Sequence, residues 1–250
     1  MLLHERNAHE RDAEISFYEK EHIYDYHGES FISVTTCINS LFEPFETEAV
    51  IQSILRSPSE KYQGKTSDEI RKMWEEQKTT SIEAGLTLHK DIEDYYNLEP
   101  NHENRSIEYK YFKNFLRDHA HLTPYRTEWK IYHEKYKIAG TIDMCYVENG
   151  FLHIYDWKRV RAIQKRNPYQ KFSKHRLLRH LPDNNFTHYA LQLNIYRYIL
   201  QKKYKKMVKD IVLVILHPEN KNHDYILHRV PDMTNEVKII LNDLKNQCSK

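Results

Sequence analysis

The dipeptide Asn149-Gly150 lies between two runs of mostly strand-forming residues, 137–147 and 151–158. A two-residue type I′ turn needs positive φ at both central positions, and asparagine followed by glycine tolerates this best. The segment therefore predicts a β-hairpin. Because the turn length sets which residues face each other, this dipeptide constrains the fold more than any other short segment.

The predicted hairpin places two aspartates opposite each other, since counting outward from the turn gives the facing pairs Val147–Leu152, Cys145–Ile154, Asp143–Asp156 and Thr141–Lys158. Facing carboxylates destabilise a sheet, and burial raises their pKa. A divalent cation between them removes this conflict, because Mg²⁺ binds carboxylates together with water and phosphate. The alternative is an exposed face on which Lys158 pairs with an aspartate, which contributes little to stability.

The remaining periodicity predicts an α/β protein with a mixed central β-sheet flanked by helices. Alternation over 14–35 predicts an N-terminal β-hairpin. The other predicted elements are helices at 45–56, 67–78, 81–97, 104–119, 186–205 and 232–247, and strands at 126–133, 211–217 and 224–230. We expect a single domain of residues 1–250, made of an N-terminal hairpin and helices (1–80), a central core (81–217) that includes a basic loop (159–185), and a C-terminal strand and helix (218–250).

Charge is concentrated in one segment of a nearly neutral chain. The net charge is +2, yet residues 158–181 carry nine Lys or Arg and no acid. Such a block predicts a polyanionic partner, although a solvated loop is the alternative. We expect nucleic-acid contacts, with Tyr169 and Phe172 stacking on bases. The candidate cations are Arg159, Arg161, Lys165, Arg166, Lys171, Lys174 and Arg176.

Several classes of protein are disfavoured. The sequence has no apolar run long enough for a transmembrane helix and no secretory signal at its start, so we expect an intracellular protein with no membrane partner. Cys37, Cys145 and Cys248 lie far apart, which predicts neither a disulfide framework nor a cysteine metal cluster. No glycine-rich phosphate loop is present, so we expect no nucleotide cofactor.

The pattern Gly140-x-x-Asp143, a hairpin, then Asp156-x-Lys158 resembles the active-site motif of the PD-(D/E)XK nuclease superfamily. The predicted element order resembles its restriction-endonuclease-like αβββαβ core. Gly140 resembles the RecB-like or lambda-exonuclease-like branch, which includes phage, viral and mitochondrial-type exonucleases. Two residues depart from the family pattern, because Ile142 replaces its proline and the second acid is aspartate.

Two helical motifs extend this resemblance. Gly85, His89 and Glu93 are spaced by four residues and share one helical face, where His89 resembles the family's histidine metal ligand. The alternative is a core histidine on an apolar stripe. Gln192 and Tyr196 resemble the family's glutamine–tyrosine pair after the basic segment, and His188 lies one turn earlier on the same face. Their alternative is a half-buried helix boundary.

The resemblance implies a divalent-metal-dependent nuclease. It implies one or two Mg²⁺ or Mn²⁺ ions held by His89, Asp143, Asp156 and the backbone carbonyl of Trp157. Lys158 would orient water or stabilise charge, with Gln192 and Tyr196 assisting. The imidazole favours Mn²⁺. Three dispersed cysteines do not fit the iron–sulfur cluster of some relatives.

Other residues have less defined expected roles. Ser33, Thr35 and Thr36 resemble hydroxyls that contact a DNA phosphate in relatives. Glu93, Glu128 and His188 are expected to support the site without binding metal, and a salt bridge from Glu128 to Arg126 or Lys130 is an equal alternative for Glu128.

The function that we expect is a DNA exonuclease acting on single-stranded DNA or strand ends, in replication, recombination or repair. A structure-selective endonuclease of the same fold, an RNA substrate, a non-catalytic nucleic-acid-binding module and an interaction protein with a basic loop are the alternatives. The sequence identifies no protein partner.

Overall fold

The computed structural model describes residues 1–97 and 104–248 of the 250-residue chain. The described helices are α1 (Leu3–Arg6), α2 (Val34–Asn39), α3 (Thr47–Arg56), α4 (Ser67–Tyr96), α5 (Ile107–Asp118), α6 (Asn185–Lys203) and α7 (Thr234–Cys248). The strands are β1 (Ile15–Tyr18), β2 (Ile23–Tyr26), β3 (Glu29–Ser33), β4 (Thr123–His133), β5 (Ile138–Glu148), β6 (Phe151–Lys158), β7 (Val208–Ile215) and β8 (Ile226–Arg229). Residues 98–103 of the expected core and 249–250 of the expected C-terminal unit lie outside the described residues.

The strands form one mixed sheet in the order β1-β2-β3-β5-β6-β7-β8, with β4 paired to the other edge of β5. The β3–β5 and β6–β7 pairs are parallel, whereas the other neighbours are antiparallel. The mixed α/β sheet expected from the sequence is therefore confirmed. No helix of the described residues is both long and apolar enough to cross a bilayer.

Helices cover both faces of the sheet because alternate strand residues point to opposite sides. Cys145 and Ile154 pack in a core that includes residues of α2, α6 and α7. Met144 and Trp157 point the other way, into a core with residues of α4 and α5. The sheet is thus held between two helical layers.

The Asn149-Gly150 turn sets the expected register for only part of the β5–β6 hairpin. Both residues have positive φ, +50° and +80°, and Val147–Leu152 and Cys145–Ile154 pair as predicted. The recorded ladder ends at Met144–Tyr155, so the expected pairs Asp143–Asp156 and Thr141–Lys158 are not part of it. Beyond this point β6 continues alongside β7 as far as Lys158–Ile215. The two strands therefore separate at Asp143.

Two predicted elements at the N-terminal side differ from the structure. The hairpin expected over 14–35 is a three-strand meander, β1–β2–β3, followed by α2, because Ser33 caps a helix that begins at Val34. The helices expected at 67–78 and 81–97 are one helix, α4. The junction Thr79-Thr80 lacks proline and glycine, and the Thr80 hydroxyl donates to the Glu76 carbonyl, so the helix continues.

The basic segment between β6 and α6 is held by backbone contacts. Ser173 donates its N–H to the Leu181 carbonyl, and Asp183 donates to the Lys171 carbonyl. A short bridge joins Phe172 to Pro182. The segment expected to be a loop therefore folds back on itself, with a 3₁₀ turn at Arg176–Leu178.

Candidate metal centre

The candidate site lies where β6 separates from β5. The Asp143 carboxylate occupies this fork, and its Oδ2 accepts the backbone N–H of Trp157 at 2.9 Å. On the same edge of β5, the parallel strand β3 pairs only with Ile138 and Ala139. In the part of the chain that the structure describes, the edge of β5 around Asp143 therefore has no strand partner on that side, and the Asp143 side chain connects it to β6.

His89 of α4 joins Asp143 and Glu128 in one cluster. Its Nδ1 lies 3.6 Å from Asp143 Oδ2 and 3.7 Å from Glu128 Oε1, and its Nε2 lies 3.0 Å from the Trp157 carbonyl oxygen. One ligand atom from each of His89, Glu128 and Asp143 lies within 4.8 Å of the others. The structure therefore brings Glu128 as close to the imidazole as Asp143, although a supporting position was expected for Glu128.

Glu128 reaches this cluster through an unusual backbone conformation. It lies in β4 between Thr127 and Trp129, which pair with Met144 and Ile142, and its own φ is +42°. Positive φ is uncommon for a residue with a Cβ and costs about 1 kcal/mol or more. Of the expected salt-bridge partners, Arg126 instead pairs with Asp12 at 2.7 Å.

Asp156 and Lys158 form the other half of the site. The Lys158 ammonium lies 2.6 Å from Asp156 Oδ2, and the Asp156 side chain is only 1% exposed. Tyr189 of α6 places its ring 5.1 Å from the same ammonium. No sequence motif indicated Tyr189, although its place three residues before Gln192 puts it near the same helical face.

The buried charges shift one another's pKa. Burial and then the nearby Asp143 raise the pKa of Asp156 to about 6, against the lowering effect of Lys158. Burial also raises the pKa of Asp143, while His89 and Lys158 oppose that change. Burial would lower the pKa of His89, but Asp143 and Glu128 outweigh it and raise that pKa to about 9. A bound cation would oppose these shifts, because it favours ionised carboxylates and a neutral imidazole.

The donor set fits a hard divalent cation. Carboxylate oxygens and a backbone carbonyl suit Mg²⁺, and the imidazole suits Mn²⁺ equally or better. His89, Glu128 and Asp143 converge from three elements, α4, β4 and β5, and the Trp157 carbonyl lies beside the imidazole. Asp156 is not part of that group of three, and its Oδ2 faces Lys158.

Gln192 and Tyr196 contact each other on the side of the fork that faces α6. Gln192 Nε2 donates to the Tyr196 hydroxyl at 2.9 Å, and both residues lie on α6, where Tyr196 is buried and Gln192 is partly buried. A Cβ on Gly140 would lie 2.4 Å from Tyr196 Cε1, so only glycine fits there. Tyr24 of β2, which sequence analysis missed, forms a hydrogen bond of 2.9 Å with the Thr141 hydroxyl.

The structure leaves other expected residues outside the cluster. Glu93 pairs with Lys90 at 3.5 Å and shares a 340 Å³ cavity with Glu128. His188 contacts Asp183 at 2.9 Å and stacks on Phe42. Ser33 is half of a helix cap, because its hydroxyl accepts the Thr36 N–H and donates to the Thr36 hydroxyl.

The candidate nucleic-acid contacts divide into paired and unpaired cations. Arg159 forms an ion pair of 2.7 Å with the largely buried Glu108, and Arg161 pairs with Glu219 at 2.6 Å. Lys165 lies over the Phe186 ring. Lys171 and Lys174 line a cavity on the surface. Thr35 is exposed at the start of α2. Arg166 and Arg176 form no side-chain ion pair with any residue that the structure describes.

Comparison with known proteins gives one family match. The model of the PD-(D/E)XK nuclease superfamily matches residues 49–250. No curated protein matches the chain. Among solved structures, a crystal structure of SSO0001 is similar with a TM-score of 0.36 and 14% identity, covering 87% of this chain and 75% of that one. A likeness this low does not extend to function.

Proposed function

Because this chain belongs to the PD-(D/E)XK nuclease superfamily, we propose that it is a divalent-metal-dependent DNA exonuclease of the RecB-like branch. The substrate is single-stranded DNA or a strand end, and the context is DNA replication, recombination or repair. The observation that supports this proposal is the convergence of His89, Glu128 and Asp143 beside the buried Asp156–Lys158 pair.

The proposed roles follow from position. His89, Asp143, Asp156 and the Trp157 carbonyl would hold a Mg²⁺ or Mn²⁺ ion, and Glu128 would join them because its carboxylate lies as close to His89 as Asp143 does. Such an ion would supply Lewis acidity toward the scissile phosphate and would lower the pKa of an attacking water. Lys158 orients the water or stabilises negative charge on the phosphate, since it is the cation nearest to Asp156.

Gln192 and Tyr196 position the site from α6. Their mutual hydrogen bond fixes the Tyr196 ring against Gly140, three residues before Asp143. Tyr189 fixes the lateral position of the Lys158 ammonium by a cation–π contact. Ser33 pairs with Ala139, four residues before Asp143, and we assign the hydroxyls of Ser33, Thr35 and Thr36 to phosphate contacts.

The test of cleavage uses end-labelled linear and circular DNA, each single- and double-stranded, and RNA, with Mg²⁺ or Mn²⁺ or with a chelator. We expect metal-dependent release of short products from linear DNA and none from circles. Digestion of circles would replace the exonuclease by an endonuclease. Absence of cleavage on every substrate would leave a nucleic-acid-binding module.

The variants Asp156→Asn and Lys158→Met test the site itself. Each keeps approximate side-chain volume and removes the ionic group, so we expect loss of cleavage by a factor of at least about 100. Asp210→Asn is the matched control, because Asp210 lies on the adjacent strand β7 and pairs with His153 and Arg229 rather than with the site. Cleavage retained in both site variants would contradict the assignment.

A further inference from the structure

A cavity of about 820 Å³ lies between the segment that follows α2 and the basic segment. One wall contains Phe42, Pro44 and Phe45, and the other contains Tyr169, Lys171 and Lys174. This volume is within the range of natural ligand sites. We call it the aromatic–lysine cleft.

The two walls of the cleft are fixed to each other. The Leu41 carbonyl accepts the Lys174 N–H at 2.9 Å and the Ser173 hydroxyl at 3.0 Å. The Phe42 ring stacks on the His188 ring with centroids 4.2 Å apart. The cleft is therefore a formed feature of the fold, with α6 providing its floor through His188.

Two aromatic side chains of the cleft are unusually exposed. Phe45 is 67% exposed and Tyr169 is 82% exposed. Burying either ring against a partner is favourable, because aromatic side chains contribute large apolar areas. Because Phe45 and Tyr169 lie on opposite walls of the cleft, they favour a flat partner that can stack on their rings.

The charges of the cleft favour an anion beside that flat partner. Lys171 and Lys174 have no ion-pair partner among the residues that the structure describes, whereas Asp183 of the same cleft is already paired with His188 at 2.9 Å. Glu43 is the one other acid among the described lining residues. Stacking surfaces with nearby lysines are what proteins use to bind single-stranded nucleic acids.

The cleft adjoins the candidate metal centre through α6. His188, Gln192 and Tyr196 are spaced by four residues and share one face of this helix, so about two turns join the cleft floor to the ring that packs on Gly140. Tyr189, the neighbour of His188, lies over Lys158. A strand that enters the site from this side passes the cleft.

We propose that the aromatic–lysine cleft binds unpaired bases of a single-stranded polynucleotide, which stack on Phe45 and Tyr169 while Lys171 and Lys174 contact the adjoining phosphates. The proposal rests on the proposed function and specifies its substrate. Bases of a duplex are stacked on each other and do not offer their faces, so the cleft selects single strands.

The test measures binding of the full chain without turnover, in a chelator, by fluorescence anisotropy. The probes are a labelled oligothymidylate and an abasic strand of equal length, which carries the same phosphates without bases. We expect wild-type protein to bind the oligothymidylate about tenfold more tightly, and Phe45→Ala and Tyr169→Ala to remove most of that preference. Lys171→Glu and Lys174→Glu should weaken both probes.

Matched controls separate the cleft from general surface effects. Tyr18→Ala removes an aromatic ring that is 54% exposed on β1, and Lys209→Glu reverses an exposed charge on β7, so both should keep wild-type binding. Equal wild-type affinity for the two probes, or an unchanged preference in Phe45→Ala and Tyr169→Ala, would overturn the proposal. Failure of the nuclease proposal shows separately, as absence of metal-dependent cleavage while the base preference persists.

Discussion

Asp143 accepts a hydrogen bond from the backbone N–H of Trp157, so the first acid of the site is fixed to the strand that carries the second acid. This bond lies where the β5–β6 ladder has ended, and a side chain thus replaces the backbone carbonyl that would continue the pairing. The fork keeps Asp143 and Asp156 close without placing them in a regular facing pair. The same departure from regular β5–β6 pairing therefore separates the strands and positions the two acids.

Gly140→Ala should destabilise the protein. The new methyl group would lie 2.4 Å from Tyr196 Cε1, and the buried ring must move. We expect the free energy of unfolding to fall by about 1–3 kcal/mol, as for other overpacked cores, measured by urea denaturation. Gly85→Ala is the control, because a Cβ there meets nothing within 4 Å and alanine favours the helix by about 1 kcal/mol. Equal effects of the two substitutions would contradict the packing argument.

Divalent metal should raise the thermal midpoint of the protein. A cation that binds only the folded state stabilises it in proportion to RT ln(1 + [L]/Kd). We expect Mn²⁺ to raise the midpoint by several degrees and His89→Gln or Glu128→Gln to reduce this rise, as measured by calorimetry. Asp210→Asn should respond like wild type. A metal response that both site variants retain would remove these two residues from the metal centre.

The Glu128→Gly variant should be more stable than the Glu128→Ala variant. Residue 128 has φ of +42°, which glycine adopts without the penalty of a Cβ. We expect Glu128→Gly to exceed Glu128→Ala by about 1 kcal/mol in the free energy of unfolding, although both variants lose the carboxylate. The neighbouring position 130, which has no such φ, provides the opposite control, since Lys130→Gly should be less stable than Lys130→Ala. The same order at both positions would show that residue 128 is not strained.

Acid should destabilise the fold in part through His133. Burial, followed by the charge of Lys203, lowers the pKa of His133 from 6.5 to about 4, and its Nδ1 has no hydrogen-bond partner among the described residues. Because the unfolded chain binds the proton first, this contribution is lost as the pH falls from about 6.5 to about 4. We expect wild type to lose about 2 kcal/mol more than His133→Phe between about pH 7 and about pH 5, in urea denaturation. If the free energy of unfolding of wild type and of His133→Phe changed with pH by the same amount, this contribution of His133 would be refuted.

Tyr189→Leu should lower kcat more than it raises KM. The Tyr189 ring holds the Lys158 ammonium from one side, and an exposed to partly buried cation–π contact contributes about 1 kcal/mol. We therefore expect roughly a threefold to tenfold loss of kcat on oligonucleotides, with Tyr189→Phe close to wild type because it keeps the ring. A loss confined to KM would assign Tyr189 to substrate binding instead.

Local sequence rules predicted the centre of the hairpin and missed its end. The Asn149-Gly150 turn determines the register near the turn, but pairing with β7 draws β6 away beyond Tyr155. No local pattern contains that competition between neighbouring strands. The family motif still placed Asp143, Asp156, Lys158 and His89 in one region, because it depends on element order rather than on a single ladder.

Other residues of the site were not predictable from local patterns. Glu128 turns toward His89 through a positive φ in the middle of a strand, where sequence rules expect regular alternation. Tyr24 reaches Thr141 across a separation of 117 residues. The aromatic–lysine cleft combines residues after α2 with the basic segment, and only their tertiary contact at Leu41 brings these parts together.

The parallel pairing of β3 with β5 has a consequence for the order in which the chain acquires structure. Ser33 needs Ala139 as its partner, and Tyr24 needs Thr141, so the β1–β2–β3 meander docks only after the chain has been synthesised as far as residue 141. Ribosomal synthesis proceeds from the N-terminus at about 5–20 residues per second, which leaves this meander waiting for several seconds. During this time the unpaired edge of β3 can form hydrogen bonds with strands other than β5, including those of other chains. Production at lower temperature or with a chaperone should therefore raise the yield of native protein. Fusion of a folded domain before Met1 should not raise this yield in the same way.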